Sequence, residues 1–590
     1  MKSNFCKFAL KKIAFICHNW ARPIEQNWPL LLAYIVLIGW QSLTRNPVPR
    51  WMLIFFHAYI VVFFVTWCGR SWVKALIYTL IYGLFFIEIS LEKMFGMDIS
   101  PNALTLLLET NLRESEEFLD VVAHKSQLQN VLFCFISLLC FNIFLEIKQK
   151  SIAHIIVKRP LKKFLKVFFG ILLLGGAVFS YEYITLFQCA EVNDVDEWRS
   201  HFRNPDDIVT KSMIAFYDLH LSNVEMNKLM RILDEIRPEP QINVGDTLTT
   251  VLVIGESYIR EHAALYGYPL QTTPFLAQEE QCGRLFVFND VVSPYNQTTR
   301  VIRNMFSCNS IGDGESWSSF PPFTSVYKKN GHYVTFYDNQ KNFGKEMLFS
   351  FSLNTYLYHP RIVENCYDEV CDTTFDFDGQ MIDFYELKHS ERHAVKQLLI
   401  FHLLGQHATF SNRYPPSFSH FTADSTKFRT ESWLTQSMRE DIAHYDNATL
   451  YNDDVMRKIT QLYGRENTVV VYFSDHGEEV YDYRDNYGRD AWGLGNDPQQ
   501  VLRWQYAVPF VVWCSDTYKR KHPKVVTQLS KYRNRPLMLD NVCHLLFHLS
   551  GLNTKYYHSS RDILSSSYIC PPRLINEQVD YDDIMESNSD

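Results

Sequence analysis

Three stretches far apart in the chain carry residues suited to metal and phosphate chemistry. Val251-Leu-Val-Ile-Gly-Glu-Ser257 runs four apolar residues into a turn bearing one carboxylate, Glu256. Val469-Val-Val-Tyr-Phe-Ser-Asp-His-Gly-Glu478 repeats that design and ends on Asp475 and His476. Two carboxylates and an imidazole make a hard-to-borderline donor set for a metal ion. An apolar run ending in one acid is common, so Glu256 carries weight only together with Asp475-His476. Between them, Pro294-Tyr-Asn-Gln-Thr-Thr-Arg-Val-Ile-Arg-Asn-Met-Phe306 puts Thr298 and Thr299 at an expected helix start. Unpaired N–H groups and the positive dipole end favour phosphate there. A threonine hydroxyl is too weak an acid to attack unaided, and a bound metal ion lowers its pKa. By spacing alone, the ordinary N-cap remains the favoured reading of this stretch. In Leu398-Leu-Ile-Phe-His-Leu-Leu-Gly-Gln-His407, the final histidine follows a strand end and can meet a substrate phosphate or a second metal. His402, inside the apolar run, reads more readily as a hydrogen-bonded core residue.

Strands must bring these side chains together. Apolar candidates lie at 249–254, 333–337, 398–404, 468–473 and 507–513, with helical patterns between them. That alternation predicts an α/β domain with a mostly parallel central sheet, helices on both faces, and ligands at the carboxyl ends of the strands. The domain is expected over 246–570. A helical, proline-ended linker at 191–245 precedes it, and an acidic, disordered tail at 571–590 follows.

The first 190 residues differ in character. Apolar segments at 28–44, 51–67, 73–91, 128–147 and 164–182, with Trp28, Trp40, Trp51, Trp67 and Trp72 near their ends, read as five membrane spans. The N-terminal arm and the connector at 148–166 are basic, whereas the connector at 92–127 is acidic. The positive-inside rule then puts the N-terminus in the cytoplasm, and the acidic, amphipathic outer loop and everything after about 183 outside. In a Gram-negative cell that outside is the periplasm. A net charge of -8 excludes a general nucleic-acid partner. The eight cysteines from Cys189 onward permit disulfides in an exported domain, with Cys366–Cys371 the expected pair.

The ordered set of Gly-Glu-Ser, a Thr-bearing helix start, His402 and His407 before Arg413-Tyr-Pro415, and Ser-Asp-His-Gly-Glu resembles the phosphoethanolamine transferases of the alkaline phosphatase/sulfatase superfamily, the core-modifying subgroup above all. Tyr266-Gly-Tyr-Pro-Leu-Gln-Thr-Thr-Pro-Phe275 and Arg300-Val-Ile-Arg-Asn-Met-Phe-Ser307 extend the likeness. The resemblance implies an α-helical transmembrane domain joined to a sulfatase-like domain. It implies an inner-membrane enzyme moving phosphoethanolamine from phosphatidylethanolamine to lipopolysaccharide, on its core or on lipid A. Thr298 would be the nucleophile, with Thr299 the fallback. Glu256, Thr298, Asp475 and His476 would hold one zinc. His407 and His402 would lie toward the substrate, and Thr110 and Glu114 would meet the lipid donor. Two positions depart from the family pattern. Tyr487-Gly488 stands where another histidine is usual, which puts a second metal in doubt, and Leu106 stands where an asparagine is common. Phosphoglycerol transfer to a periplasmic glycan and a non-catalytic membrane binding protein are the alternatives. Sulfatase activity is disfavoured, because no Cys/Ser-x-Pro-x-Arg motif occurs where Thr-Thr-Arg stands.

Overall fold

The computed structural model describes residues 20, 24, 31–32, 34–35, 48–67, 71–95, 126–152, 159–188, 208–241, 247–340, 356–371, 373–389, 396–489 and 497–586. The chain divides into two compact units, one from the N-terminal helices through Asp218 and one from Leu219 onward.

In the first unit, four long helices are described: α1 (Val48–Trp67), α2 (Ser71–Phe95), α3 (Ser126–Ile152) and α4 (Arg159–Gln188). Stacked Phe55 and Phe169 join α1 to α4, and Phe85 stacks on Phe135 between α2 and α3. Phe133, Leu174 and Val178 point outward, each about 70% exposed. Trp72–Ser90 is long and apolar enough to cross a membrane, while Trp51–Val65, Leu132–Phe141 and Phe164–Val178 are shorter apolar stretches. Most of the expected first span, 28–44, lies outside the described residues, as does most of the 92–127 loop.

The second unit is built on a seven-stranded sheet. Its strands are β1 (Leu248–Gly255), β2 (Leu285–Phe288), β3 (Tyr333–Asp338), β4 (Glu369–Val370), β5 (Lys396–His402), β6 (Thr468–Ser474) and β7 (Phe510–Cys514). The order across the sheet is β2-β7-β6-β1-β5-β3-β4. The β1, β3, β4, β5 and β6 strands run parallel, and β7 is antiparallel to both β6 and β2. All eight β1 residues are buried, so both faces of this central strand are covered. Alternation splits its side chains. Leu252 and Ile254 enter one core cluster, while Val251 and Val253 enter the other. Fully burying each such side chain is worth about 1.5–3 kcal/mol, and this repeated gain fixes the register.

Three expectations need correction here. The domain begins earlier than 246. The C-terminal half of α5 (Ile208–Glu235) packs Met226, Leu229, Met230 and Leu233 into the main core. In the same helix, buried Glu225 accepts hydrogen bonds from Ser316 Oγ and Trp317 Nε1, at 3.2 and 3.1 Å. The segment expected to be a disordered tail is structured as far as Glu586. Arg573, 2% exposed, pairs with both Asp290 and Asp582, and Asn576 N–H donates to Pro294 O at 2.9 Å. Asp582 of the tail and the distant Asp290 together hold this buried arginine, a pairing that charge counting alone could not place. Cys366 and Cys371 are separate buried thiols, belonging to different core clusters. The two-residue β4 runs between them and directs them to opposite sides of the sheet.

Candidate metal centre

Strand ends deliver the donors. β1 and β6 are adjacent and parallel, with Gly255 opposite Ser474. Glu256 therefore leaves the sheet beside Asp475 and His476, as a parallel pair in register dictates. Ligand atoms of Glu256, Asp475 and His476 all lie within 4.8 Å of one another, and all three side chains are fully buried. The turn after β1 is unusual. Ser257 adopts φ 57, its N–H donates to Asp475 Oδ1 at 3.2 Å, and its hydroxyl donates to Glu256 Oε1 at 2.7 Å. A non-glycine residue in the left-handed region costs about 1 kcal/mol or more, and here two bonds to the site's carboxylates hold it.

Thr298 opens the helix α6 (Thr298–Phe306) and reaches the same cluster. Its hydroxyl donates to Glu256 Oε2 at 3.0 Å and lies 3.2 Å from His476 Nε2. The N-cap residue is Gln297, whose side chain makes no capping bond, so neither threonine serves as the ordinary N-cap. Thr299 lies on the buried side of α6.

The electrostatics show a centre short of positive charge. Burial pushes the Glu256 carboxyl up, but His476, with His407 and Arg489, outweighs burial and holds it well below the usual carboxylate range. Burial and then the Glu256 charge push Asp475 well above that range. Burial and then Arg489 lower the pKa of His476. Its Nδ1 sits 2.8 Å from Gly477 O and is thereby assigned the proton, so Nε2 offers a lone pair. Asp475 Oδ2 is buried without a hydrogen-bond partner. Two crowded carboxylates, an orphaned oxygen and an imidazole whose Nε2 is turned toward them fit a divalent cation.

The remaining expected residues separate. His407 is half-buried at the end of the turn after β5, close enough to feel Glu256, Arg413, Arg489 and His476, and burial above all brings its pKa down to about 4. His402 is fully buried on β5 with Nδ1 2.9 Å from Asp338 Oδ1, the hydrogen-bonded core histidine that its place inside the apolar run suggests. Thr110 and Glu114 lie outside the described residues.

Sequence reasoning passed over four contributors. Gln340, just past β3, donates from Nε2 to Glu256 Oε2 at 3.2 Å and to Leu403 O at 2.7 Å. Asp378 accepts the N–H groups of Leu404 and Gly405, at 2.8 and 3.0 Å, and so fixes the turn that carries His407. Gly405 has φ +51, and a Cβ there would lie 2.7 Å from the Glu256 backbone N and O, so only glycine fits between these strand ends. Arg489 donates from Nη1 to Asn296 O at 2.9 Å and pairs through Nε with Glu478 at 3.3 Å. The polar run Asp338-Asn339-Gln340 at a strand end was a visible signal for Gln340, whereas nothing in the local pattern around Asp378 or Arg489 pointed to a site.

Comparison with known proteins gives a consistent result. The chain is 28% identical over 380 residues to phosphoethanolamine transferase EptC of Escherichia coli strain K12, covering 61% of this chain and 62% of the relative. It is 28% identical over 386 residues to phosphoethanolamine transferase CptA of Salmonella typhimurium strain LT2, covering 62% and 63%. The chain thus spans somewhat less than two thirds of the curated relatives it matches. Among solved structures, the C-terminal periplasmic domain of EptC from Escherichia coli matches with TM-score 0.51 and 26% identity, over 59% of this chain and 97% of that one. EptA from Neisseria meningitidis shares the fold with TM-score 0.59 at 18% identity, over 92% of this chain and 97% of that one. A family profile described as Sulfatase matches residues 249–551, just over half of the 590 residues and the whole span from β1 past the Asp475-His476 strand. With that match laid over a cluster built from the ends of β1 and β6, the chain belongs to the sulfatase family.

Proposed function

We propose that this protein is a membrane-anchored, metal-dependent transferase that moves phosphoethanolamine from phosphatidylethanolamine to lipopolysaccharide, on its core or on lipid A, with Thr298 as the nucleophile. One observation carries the reading. The Thr298 hydroxyl, at the head of α6, is within hydrogen-bonding reach of both Glu256 and His476. The names of the EptC and CptA relatives supply the transferred group.

Glu256, Asp475 and His476 would hold the ion, zinc by the chemistry of the set, and Thr298 would join them. Bound there, a divalent cation lowers the pKa of a coordinated hydroxyl and offsets charge on a transferring phosphoryl group. Glu256, kept ionised, accepts the Thr298 proton at Oε2 and so turns the oxygen lone pairs toward the opening. Backbone N–H groups in the first turn of α6 face the incoming phosphate. The bond from Thr298 Oγ1 to phosphorus forms as the bond from phosphorus to the diacylglycerol oxygen breaks, and the proton Thr298 gives up to Glu256 passes to that oxygen, so diacylglycerol leaves neutral. An acceptor oxygen of lipopolysaccharide then displaces Thr298. His407, kept neutral, can accept a proton from that acceptor.

Five membrane spans with an inside N-terminus, a periplasmic catalytic domain and an inner-membrane location complete the proposal. The apolar Trp72–Ser90 stretch, the outward apolar residues of α3 and α4, and the likeness to a periplasmic domain support it. Thr298→Ala should abolish phosphoethanolamine-modified lipopolysaccharide in lipid mass spectrometry. Full modification by that variant would remove Thr298 from the mechanism.

A further inference from the structure

Glu256, Asp475 and Glu478 are three buried carboxylates in one cluster, and the phosphodiester it is proposed to bind is itself an anion. One bound divalent ion leaves such a centre poor in positive charge for holding a phosphoryl group. Arg413 is bonded to the backbone of His407, whereas Arg489 reaches the side chains of the cluster itself. Arg489 follows a small hairpin in which Glu479 pairs with Gly488 and Val480 with Tyr487. Gly488, at φ +107, turns the chain so that Arg489 comes back over the cluster.

Its side chain is anchored on two sides. Nε pairs with Glu478 Oε2 at 3.3 Å, and Nη1 donates to Asn296 O at 2.9 Å. Nη1 also hydrogen-bonds His476 Nε2. That is the same atom that lies 3.2 Å from Thr298 Oγ1. The guanidinium and the proposed nucleophile therefore flank one imidazole nitrogen. The side chain is 20% exposed, whereas that of Glu478 is 5% exposed. Nε2 has one lone pair. Once a cation takes it, Nη1 loses that partner and has a donor free beside Thr298. A planar guanidinium matches the oxygens of a phosphoryl group, where an ammonium acts only as a point charge.

Building on the transfer reaction proposed above, we propose that Arg489 is a phosphate-binding catalytic residue whose guanidinium holds a non-bridging oxygen of the phosphoryl group that Thr298 receives. It supplies the second positive charge of a site whose Tyr487-Gly488 segment offers no histidine. The ligand class is a phosphate monoester or diester.

The test uses the full-length protein, zinc-loaded in detergent, with inorganic phosphate as the calorimetric probe. Arg489→Ala and Arg489→Gln should each weaken phosphate binding about tenfold to a hundredfold, the loss expected for a charge-assisted hydrogen-bond pair. Arg489→Lys should recover only part of it, and zinc per chain should stay at the wild-type value in all three. In transfer assays from phosphatidylethanolamine, the same variants should lose kcat. Unchanged phosphate affinity in Arg489→Ala with zinc retained would overturn the proposal, and so would loss of zinc in step with loss of phosphate, which makes Arg489 a structural prop. If wild-type protein transfers nothing while its phosphate binding still depends on Arg489, the transfer reaction fails and the anion site stands.

Discussion

His262 offers a quantitative test of how the site loops are held. It lies in the turn after β1, 1% exposed, with Nδ1 2.7 Å from Asp446 Oδ1 and Nε2 3.0 Å from Asp482 Oδ1. Asp446 is on the helix α7 (Gln436–Leu462), and Asp482 follows the Asp475-His476 stretch, so this imidazole ties both metal-bearing loops to one helix. Burial pushes its pKa down, but Asp482 and then Asp446 outweigh burial and bring it up to about 9 from 6.5. With both ring nitrogens facing carboxylates, the imidazolium is the form that fits. A folded pKa raised above the unfolded value means that the native state binds the extra proton. The stabilisation is therefore complete below about pH 6.5 and fades as pH rises through about 9. Between pH 7 and 9 the chain should lose about 2 kcal/mol, or about 3 °C of melting temperature for a domain of this size. Thermal unfolding of full-length protein, followed by tryptophan fluorescence across that range, reads the slope directly. Other groups titrate too, so the decisive quantity is the difference between wild type and His262→Gln, which should shrink as pH rises. A constant difference from pH 7 to pH 9 would show that His262 carries no charge at neutral pH, and the linkage would be wrong.

Two further outcomes follow from the same geometry. Asp475→Asn, which keeps shape and removes charge, should lower zinc content per chain by elemental analysis and abolish transfer, and chelation of the wild type should do the same reversibly. Glu225→Ala should destabilise the second unit by about 3 kcal/mol in thermal unfolding, because buried Arg303, whose Nη1 lies 4.0 Å from Glu225 Oε2, and Trp317 Nε1 would lose that carboxylate.

Periodicity and strand-end chemistry are legible from the residues alone. Val251–Ile254 and Val469–Phe473 are unbroken apolar runs because both faces of a central parallel strand are covered, and such runs must end at the same edge if they pair in parallel. That condition is enough to group Glu256 with Asp475 and His476, although most of the domain separates them along the chain. Thr298 cannot be separated from Thr299 by spacing. A helix start shows only where a hydroxyl stands in sequence, and the direction in which α6 leaves the sheet decides which hydroxyl meets Glu256. His402 and His407 divide on the same ground. Both follow from one apolar run, but the pleat turns His402 inward to Asp338, while the Gly405 turn carries His407 to the opening.

What the sequence determined by itself is the local: apolar runs, their polarity at the ends, and the donor types they carry. Their chemistry is covalent and their periods are set by neighbouring residues. What only the tertiary structure decided is the convergence of the rest. Gln340, Asp378 and Arg489 reach the site across the sheet. The half-helix at 219–235 joins the core through Glu225, and the acidic end of the chain folds onto Arg573. Each of these depends on a partner distant in sequence, and the free energy of burying a charge beside its counter-charge leaves no pattern in either segment alone.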